Sequence, residues 1–294
     1  MQKIVPHFWY DKEAGEAAEL YTSVFEQSSI DSKTKIYDTP SGTAETVTMT
    51  IAGQSFMSIS AGPFFKFTPL ISLQVMCSTL VEVNRLWQQL SKGGNVLMPL
   101  EAYPFSEKYG WTEDKYGLSW QIIYLPDQPI AQKITPSILF TDEQYGKAKA
   151  AMEFYTSVFP NAAIDGFDYY AEDDPQGQGG KVQYGLFNLE GQNFVAMDSG
   201  ITHDYKFNES VSFIVNCETQ EEIDYYWDKL SYVPEAEQCG WLKDKFGVSW
   251  QIVPANMNEL MSTKDKEQLN RVTQAFLKMK KFDIAELKRA TEEE

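Results

Sequence analysis

The sequence predicts an α+β protein of two tandem domains, each made of paired strand–helix–strand modules that form a curved mixed sheet, followed by a helical tail. Three observations carry this expectation: a long motif written twice, a shorter strand–helix pattern that recurs inside each copy, and a final segment that matches neither. The long motif reads Gly110-Trp111-Thr112-Glu113-Asp114-Lys115-Tyr116-Gly117-Leu118-Ser119-Trp120-Gln121, and again Gly240-Trp241-Leu242-Lys243-Asp244-Lys245-Phe246-Gly247-Val248-Ser249-Trp250-Gln251, a shift of 130 residues. A fixed pattern at that distance marks a duplicated domain. It places the first domain at 1–128, the second at 129–256 and the tail at 257–294.

Each copy opens with a short apolar strand, Ile4 to Tyr10 and Ile134 to Phe140. A helix follows in both. Ala17, Leu20, Tyr21 and Val24 stand at helical spacing, as do Ala151, Phe154, Tyr155 and Val158, so one face of each helix is apolar. Val47, Met49 and Ile51 then alternate with threonines before Ala52-Gly53-Gln54 turns the chain into Phe56 to Ile59, and the second copy repeats this through Glu190-Gly191-Gln192. Two β runs across a short glycine turn read as a hairpin. The half-pattern then restarts. Ile71–Val75 and Val211–Val215 are strands, Thr79-x-x-Glu82 and Thr219-x-x-Glu222 are capping boxes, and the helices behind them carry Val83, Leu86, Trp87 and Leu90, or Ile223, Tyr226, Trp227 and Leu230. The chain is therefore four βαβββ-like modules.

The copies are unequal. Trp87 to Trp111 spans 24 residues and Trp227 to Trp241 only 14, so the last module is expected to lack a strand or to use a tighter loop. In the tail, Leu269, Val272, Phe276 and Met279 form an amphipathic stripe and Asp283-x-x-Glu286 can cap a last helix. Such a tail packs on its own domain or on a second copy in a homodimer.

The chain has 294 residues with 25 basic and 42 acidic side chains, a net charge of −17. Neither half is basic, which argues against a nucleic-acid partner. No apolar run reaches the roughly 18 residues of a membrane helix, and the opening residues lack an apolar stretch of signal-peptide length. Cys77, Cys217 and Cys239 fit neither a disulfide framework nor a zinc motif. A cytoplasmic protein with structural thiols and no membrane partner is the expectation.

These modules resemble the vicinal oxygen chelate superfamily of glyoxalase I, extradiol dioxygenases and bleomycin-resistance proteins. Within it they resemble the PhnB-like branch, often labelled by similarity to a demethylubiquinone methyltransferase. The resemblance spans about residues 3 to 290 and rests on Ala17-x-x-Leu20-Tyr21-x-x-Val24-Phe25 and its copy, on Ser212-Phe213-x-Val215-Asn216-Cys217, and on Gln238 to Gln251. It implies two glyoxalase-like domains. The methyltransferase label is not adopted, because no glycine-rich nucleotide loop follows a strand.

Metalloenzymes of this superfamily hold a divalent ion in the cup through a first-strand His or Gln and donors on three further strands. The matching first-strand positions here are His7 and Ser137, and the last-strand positions are Gln121 and Gln251. The other two positions fall at Met57 to Ile59 and near Leu70 or Ile71, which offer no good ligand. That leaves His7 and Gln121 as a weak metal pair; no metal and no other cofactor is predicted, a divalent metal standing only as the alternative. Strand alternation puts His7 and Trp9 on one face, and Phe8 and Tyr10 on the other. His7, Trp9, Gln121, Ser137, Gln251 and Cys239 are the ligand-binding candidates. Each has a plainer reading as well: a structural histidine, a core tryptophan, an amide bonded to backbone, a buried thiol. Three functions follow in order: a binding protein for a small, partly apolar ligand in a metal-free cup, a metal-dependent lyase, isomerase or dioxygenase using the first-domain cup, and an assembly scaffold.

Overall fold

The computed structural model of the protein describes residues 1–39, 42–126, 128–176, 178–261 and 265–292. The first repeat contains β1 (Ile4–Tyr10), α1 (Ala14–Val24), β2 (Ser29–Thr39), β3 (Gly42–Ile51), β4 (Gln54–Ser60), β5 (Ile71–Cys77), α2 (Leu80–Leu90), β6 (Asn95–Tyr103), β7 (Ser106–Glu113) and β8 (Ser119–Tyr124). The second contains β9 (Ile134–Phe140), α3 (Ala148–Val158), β10 (Ala162–Tyr169), β11 (Val182–Leu189), β12 (Gln192–Asp198), β13 (Val211–Cys217), α4 (Gln220–Leu230), β14 (Trp241–Lys243) and β15 (Ser249–Pro254). The tail adds α5 (Met257–Met261), α6 (Lys266–Leu277) and α7 (Ile284–Glu292); its residues 262–264 and 293–294 lie outside the described residues. No helix among the described residues is long and apolar enough to cross a membrane.

The modules form and pair as βαβββ units, but not within each repeat. One sheet runs β14-β15-β13-β1-β4-β3-β2, joining the first module to the fourth. The other runs β10-β11-β12-β9-β5-β8-β7-β6, joining the third to the second. The compact units are accordingly Met1–Lys66 with Asn208–Glu294, and Phe67–Phe207. The boundary at residue 128 separates the sequence repeats without separating these units. The reason is that all four modules offer a similar first strand, so β1 can pair antiparallel with β13 as readily as with β5, and hydrophobic periodicity carries no record of the choice. In unit one β1 meets β13 with His7 opposite Ser212; in unit two β5 meets β9 with Ser72 opposite Ser137.

Each helix seals one face of its sheet. α1 buries Ala14, Ala17, Ala18, Tyr21 and Val24, and the Tyr21 hydroxyl lies 3.0 Å from that of Tyr10. On α2 the Thr79 hydroxyl accepts the Glu82 N–H at 3.2 Å, and on α4 the Thr219 hydroxyl accepts that of Glu222 at 3.3 Å, so both threonines act as N-caps. Each fully buried Val, Leu, Ile, Phe or Met side chain in these layers contributes about 1.5–3 kcal/mol.

The duplicated motif is a structural clamp. Asp114 Oδ1 accepts the Tyr116 and Leu118 N–H groups at 2.8 and 3.2 Å, and its Oδ2 accepts the Trp120 indole N–H at 2.9 Å. Asp244 does the same for Phe246, Val248 and Trp250 at 2.8, 3.1 and 2.9 Å. Gly117 and Gly247 supply the positive φ that closes each turn. Trp120 and Trp250 are fully buried core residues.

Among the described residues the last module does lack a strand: no counterpart of β6 stands beside β14. The tail takes over that edge. The Cys239 N–H donates to Met279 O at 2.8 Å and the Gly240 N–H to Lys280 O at 2.7 Å. Phe282 lies against Gly240, where a Cβ would approach its ring to 2.5 Å; in unit two Trp87 occupies the matching place over Gly110. Edge N–H groups left bare would invite pairing with other chains. Asp283 caps α7 by accepting the Glu286 N–H at 2.9 Å, so the tail packs on unit one.

Replacing Asp244 by Ala strands the buried Trp250 indole N–H and two turn amides. Urea unfolding is expected to show a loss of about 3 kcal/mol, against less than about 0.5 kcal/mol for an exposed control such as Asp173→Ala.

Candidate functional site

The cup face of unit one is assembled by strand register. β1 turns Val5, His7 and Trp9 inward while Phe8 stacks on Phe56 and Tyr10 meets Tyr21 on the helix side, as alternation predicts. β13 lies beside β1 and carries Ser212 and Ile214; β15 runs parallel to β13 and brings Gln251; β14 places Trp241 opposite Gln251. Gln251 Nε2 donates to Ser212 Oγ at 3.0 Å, and Ser212 Oγ lies 3.4 Å from His7 Nδ1. The Trp241 ring meets His7 edge-on at 5.4 Å and Trp9 at 5.9 Å. Trp9 is itself fixed, its indole N–H donating to Gly62 O at 2.9 Å and its ring packed on Phe65.

Unit two carries the matching positions with different side chains. Gln121 Oε1 accepts from Gln74 Nε2 at 3.1 Å and from the Tyr109 hydroxyl at 2.9 Å, while its Nε2 donates to Ser72 Oγ at 2.6 Å. Gln74 Nε2 also approaches Ser137 Oγ at 3.5 Å, and the Tyr184 hydroxyl donates to Gln74 Oε1 at 3.2 Å. This network is closed: both carbonyl lone pairs of Gln121 are used. Burial raises the Tyr184 phenol to about 12 and pushes that of Tyr109 well above its ordinary value, so both remain neutral donors.

In unit one the same positions read differently. The shifts between repeats put Ile214 for Gln74, Cys239 for Tyr109, Thr46 for Tyr184 and His7 for Ser137, with Ser212 and Gln251 retained. Two tyrosines have become a thiol and a small hydroxyl, and the space they would fill is open. It is a cavity of about 610 Å³, lined by His7, Thr46, Met57, Ile214, Cys239, Trp241 and Gln251 and by Met261, Phe276 and Phe282 of the tail. That volume suits a small-molecule site. Trp241 also departs from its counterpart. The Trp111 indole N–H donates to Ser119 Oγ at 2.7 Å, whereas the buried Ser249 Oγ has no partner and Trp241 packs on His7 and Trp9 instead.

The candidate residues therefore fall into two groups. His7, Trp9, Gln251 and Cys239 gather in unit one; Gln121 and Ser137 gather in unit two. The pairings of His7 with Gln121 and of Ser137 with Gln251 are corrected, because module exchange gives each first strand the last strand of the other repeat. Cys239 has a positive φ of 52° and lines the cavity, and burial pushes its thiol up to about 11. Cys77 and Cys217 are buried and free, their thiols raised to about 12 by burial. His203, in an exposed loop, stacks on Tyr205. Thr46, Ile214, Trp241 and Phe282 carry no site signal of their own in the sequence, where Phe276 stands only in the amphipathic stripe of the tail. The unequal spacing before Trp241 was the available signal, since a missing strand must be replaced.

A transition metal needs three or four converging N, O or S donors. Among the described residues no group of three or more His, Cys, Asp or Glu side chains gathers. Around His7 stand a hydroxyl and an amide that are bonded to each other, and the parallel neighbour on β4 is Met57. This donor set does not fit a tight transition-metal site.

Burial lowers the His7 imidazole from its usual 6.5 to about 3. The unfolded chain then takes up a proton below pH 6.5 that the folded state refuses, so stability falls as pH drops from 6.5 toward 3. From pH 7.5 to pH 5.0 this one group is expected to remove about 2 kcal/mol. His7→Ser, the side chain of the matching position in unit two, should shrink the difference between the unfolding free energies from urea titrations at the two pH values by that amount; an unchanged difference would show that His7 is not buried neutral.

Comparison with known proteins agrees with the fold. A family model described as 3-demethylubiquinone-9 3-methyltransferase matches twice, over residues 2–123 and 132–253. A solved Bacillus cereus structure described with the same name, as a PhnB protein, is 41% identical over 42% of this chain and all of its own length, with a TM-score of 0.40. Glyoxalase I from Zea mays is 11% identical over 88% of this chain and 96% of its own, with a TM-score of 0.53, a likeness of fold. No curated protein sequence matches. The chain thus belongs to the family described as 3-demethylubiquinone-9 3-methyltransferase, as a tandem PhnB-like protein with the glyoxalase-like, vicinal oxygen chelate fold.

Proposed function

We propose that this protein binds a small, partly apolar organic molecule in the cup of unit one, without a metal. The observation that carries this reading is the cavity of about 610 Å³ at the positions where unit two closes its cup with Tyr109 and Tyr184. Its walls are mostly aliphatic, aromatic and thioether groups, with a few polar atoms from Gln251, Asn216 and Thr46 to orient a ligand. Methionines such as Met57 and Met261 adapt their shape to what they cover. The family's descriptive name adds no methyl-transfer step here, because no G-x-G-x-x-G turn for a nucleotide-bearing donor leads from a strand into a helix.

The two units supply their own experiment. Thr46→Tyr with Cys239→Tyr places the side chains of unit two into unit one, at an overpacking cost of about 1–3 kcal/mol per site. N-phenyl-1-naphthylamine, an uncharged dye that brightens in apolar cavities, should bind the unaltered protein saturably and one to one. The double variant should lose at least tenfold in affinity while its near-ultraviolet circular dichroism stays native-like. The reciprocal Tyr109→Cys with Tyr184→Thr should leave the affinity of the first site unchanged. Equal dye binding by the filled variant and the unaltered protein would sink the reading.

A further inference from the structure

Two hydrogen-bonding atoms left unused in the unit-one cup narrow the ligand further, on the premise that this cup is the binding site. His7 and Gln251 both line the cavity and are only 2% and 7% exposed. A buried serine, Ser212, joins them: Gln251 Nε2 donates to Ser212 Oγ at 3.0 Å, and that oxygen lies 3.4 Å from His7 Nδ1. An amide nitrogen only donates. Ser212 therefore accepts from it and turns its own proton to Nδ1, which leaves the ring proton of the neutral imidazole on Nε2. Each end of this relay then keeps one atom with no hydrogen-bond partner among the described residues, an acceptor at Gln251 Oε1 and a donor at His7 Nε2. Neither is sealed off in the way the Ser249 hydroxyl is.

Unit two shows what the acceptor is missing. There the matching oxygen, Gln121 Oε1, takes two donors, the Tyr109 hydroxyl at 2.9 Å and Gln74 Nε2 at 3.1 Å. Cys239 and Ile214 hold those places in unit one, a weak donor and a side chain with none. The phenol hydroxyl has been lost together with the ring that carried it, and a ligand that restores both is an aromatic ring bearing a hydroxyl. Its proton goes to Gln251 Oε1, as that of Tyr109 goes to Gln121, and its oxygen accepts the His7 Nε2–H, a donor that Ser137 does not offer in unit two. A wholly apolar molecule of the same shape would cover both buried atoms and leave them unpaired, which is the condition under which a site rejects an analogue lacking a hydroxyl. We infer that the ligand of unit one is an uncharged, hydroxyl-bearing aromatic molecule, bound with its hydroxyl on Gln251 Oε1 and His7 Nε2 and its ring against Met57, Ile214 and Trp241.

Two probes of one shape test this by equilibrium dialysis at neutral pH: 2-naphthol and 2-methylnaphthalene, which differ by a hydroxyl in place of a methyl. The unaltered protein should bind 2-naphthol about tenfold or more tighter. Gln251→Met and His7→Phe should each cut that ratio about fivefold or more by weakening 2-naphthol, with 2-methylnaphthalene bound as by the unaltered protein. A second readout needs no substitution. The chain has two histidines, His7 and His203, so nitrogen-15 NMR of the imidazoles resolves His7. Its proton should reside on Nε2, and the Nε2 resonance should move several times further with 2-naphthol than with 2-methylnaphthalene. Equal affinities for the two probes overturn the inference, as does a ratio that survives either substitution or an Nε2 resonance indifferent to the hydroxyl; binding of 2-methylnaphthalene in these cases leaves the cup standing as a site. Absence of binding by both probes overturns the binding reading itself, and this inference with it.

Discussion

The antiparallel register of β1 on β13 is the constraint on which the candidate site depends. Setting His7 opposite Ser212 places the inward faces of the first and fourth modules side by side, and the parallel pairing of β13 with β15 then carries Gln251 to Ser212. A slip of one residue would turn His7 to the helix layer and bring Phe8 into the cup, since alternate strand residues face opposite ways. The same register, Ser72 opposite Ser137, builds the cup of unit two. Both units hold the serine–glutamine pair, Ser212 with Gln251 and Ser72 with Gln121, so the pair belongs to the shared scaffold. What differs is the set of residues around it.

Those differences follow a consistent physical direction. Unit two spends its inward positions on groups that bond one another: two glutamines, two tyrosines and two serines form a network in which each amide is engaged. A satisfied buried network rigidifies its surroundings. Unit one replaces the network with Ile214, Cys239 and Thr46, which cannot bridge the same distances, and leaves a partly open cavity with the tail in its wall. The tail has two roles in one segment. Its backbone at Met279 and Lys280 completes the edge that lost a strand, and Phe276 and Phe282 line the cavity. The shortened last module and the open cup are therefore linked features.

Much of this was legible in the sequence, for identifiable reasons. The threonine N-caps at Thr79 and Thr219 and the alternation of His7 and Trp9 against Phe8 and Tyr10 follow from local rules, and the structure bears them out. The missing strand was readable from the 14-residue spacing before Trp241. Partner choice was not readable. Four similar modules admit more than one pairing, and so His7 was matched with Gln121 in place of Gln251. The cavity was hidden for the same reason: Thr46 and Cys239 matter only by comparison with Tyr184 and Tyr109, and that comparison gains meaning once the strands are in register.

The central claim is that the open cup lies in unit one and the closed one in unit two, and the methionines divide between them in a useful way. Met49, Met57, Met257 and Met261 line the cavity, while Met76, Met98, Met152 and Met197 belong to unit two. Carbon-detected NMR of the methionine methyl groups during titration with indole, an uncharged flat probe, reads both units at once. The account predicts saturable shifts at Met49, Met57, Met257 and Met261 with the unit-two methyl groups unmoved; shifts centred on Met76, Met98, Met152 or Met197, with the first four silent, would contradict it.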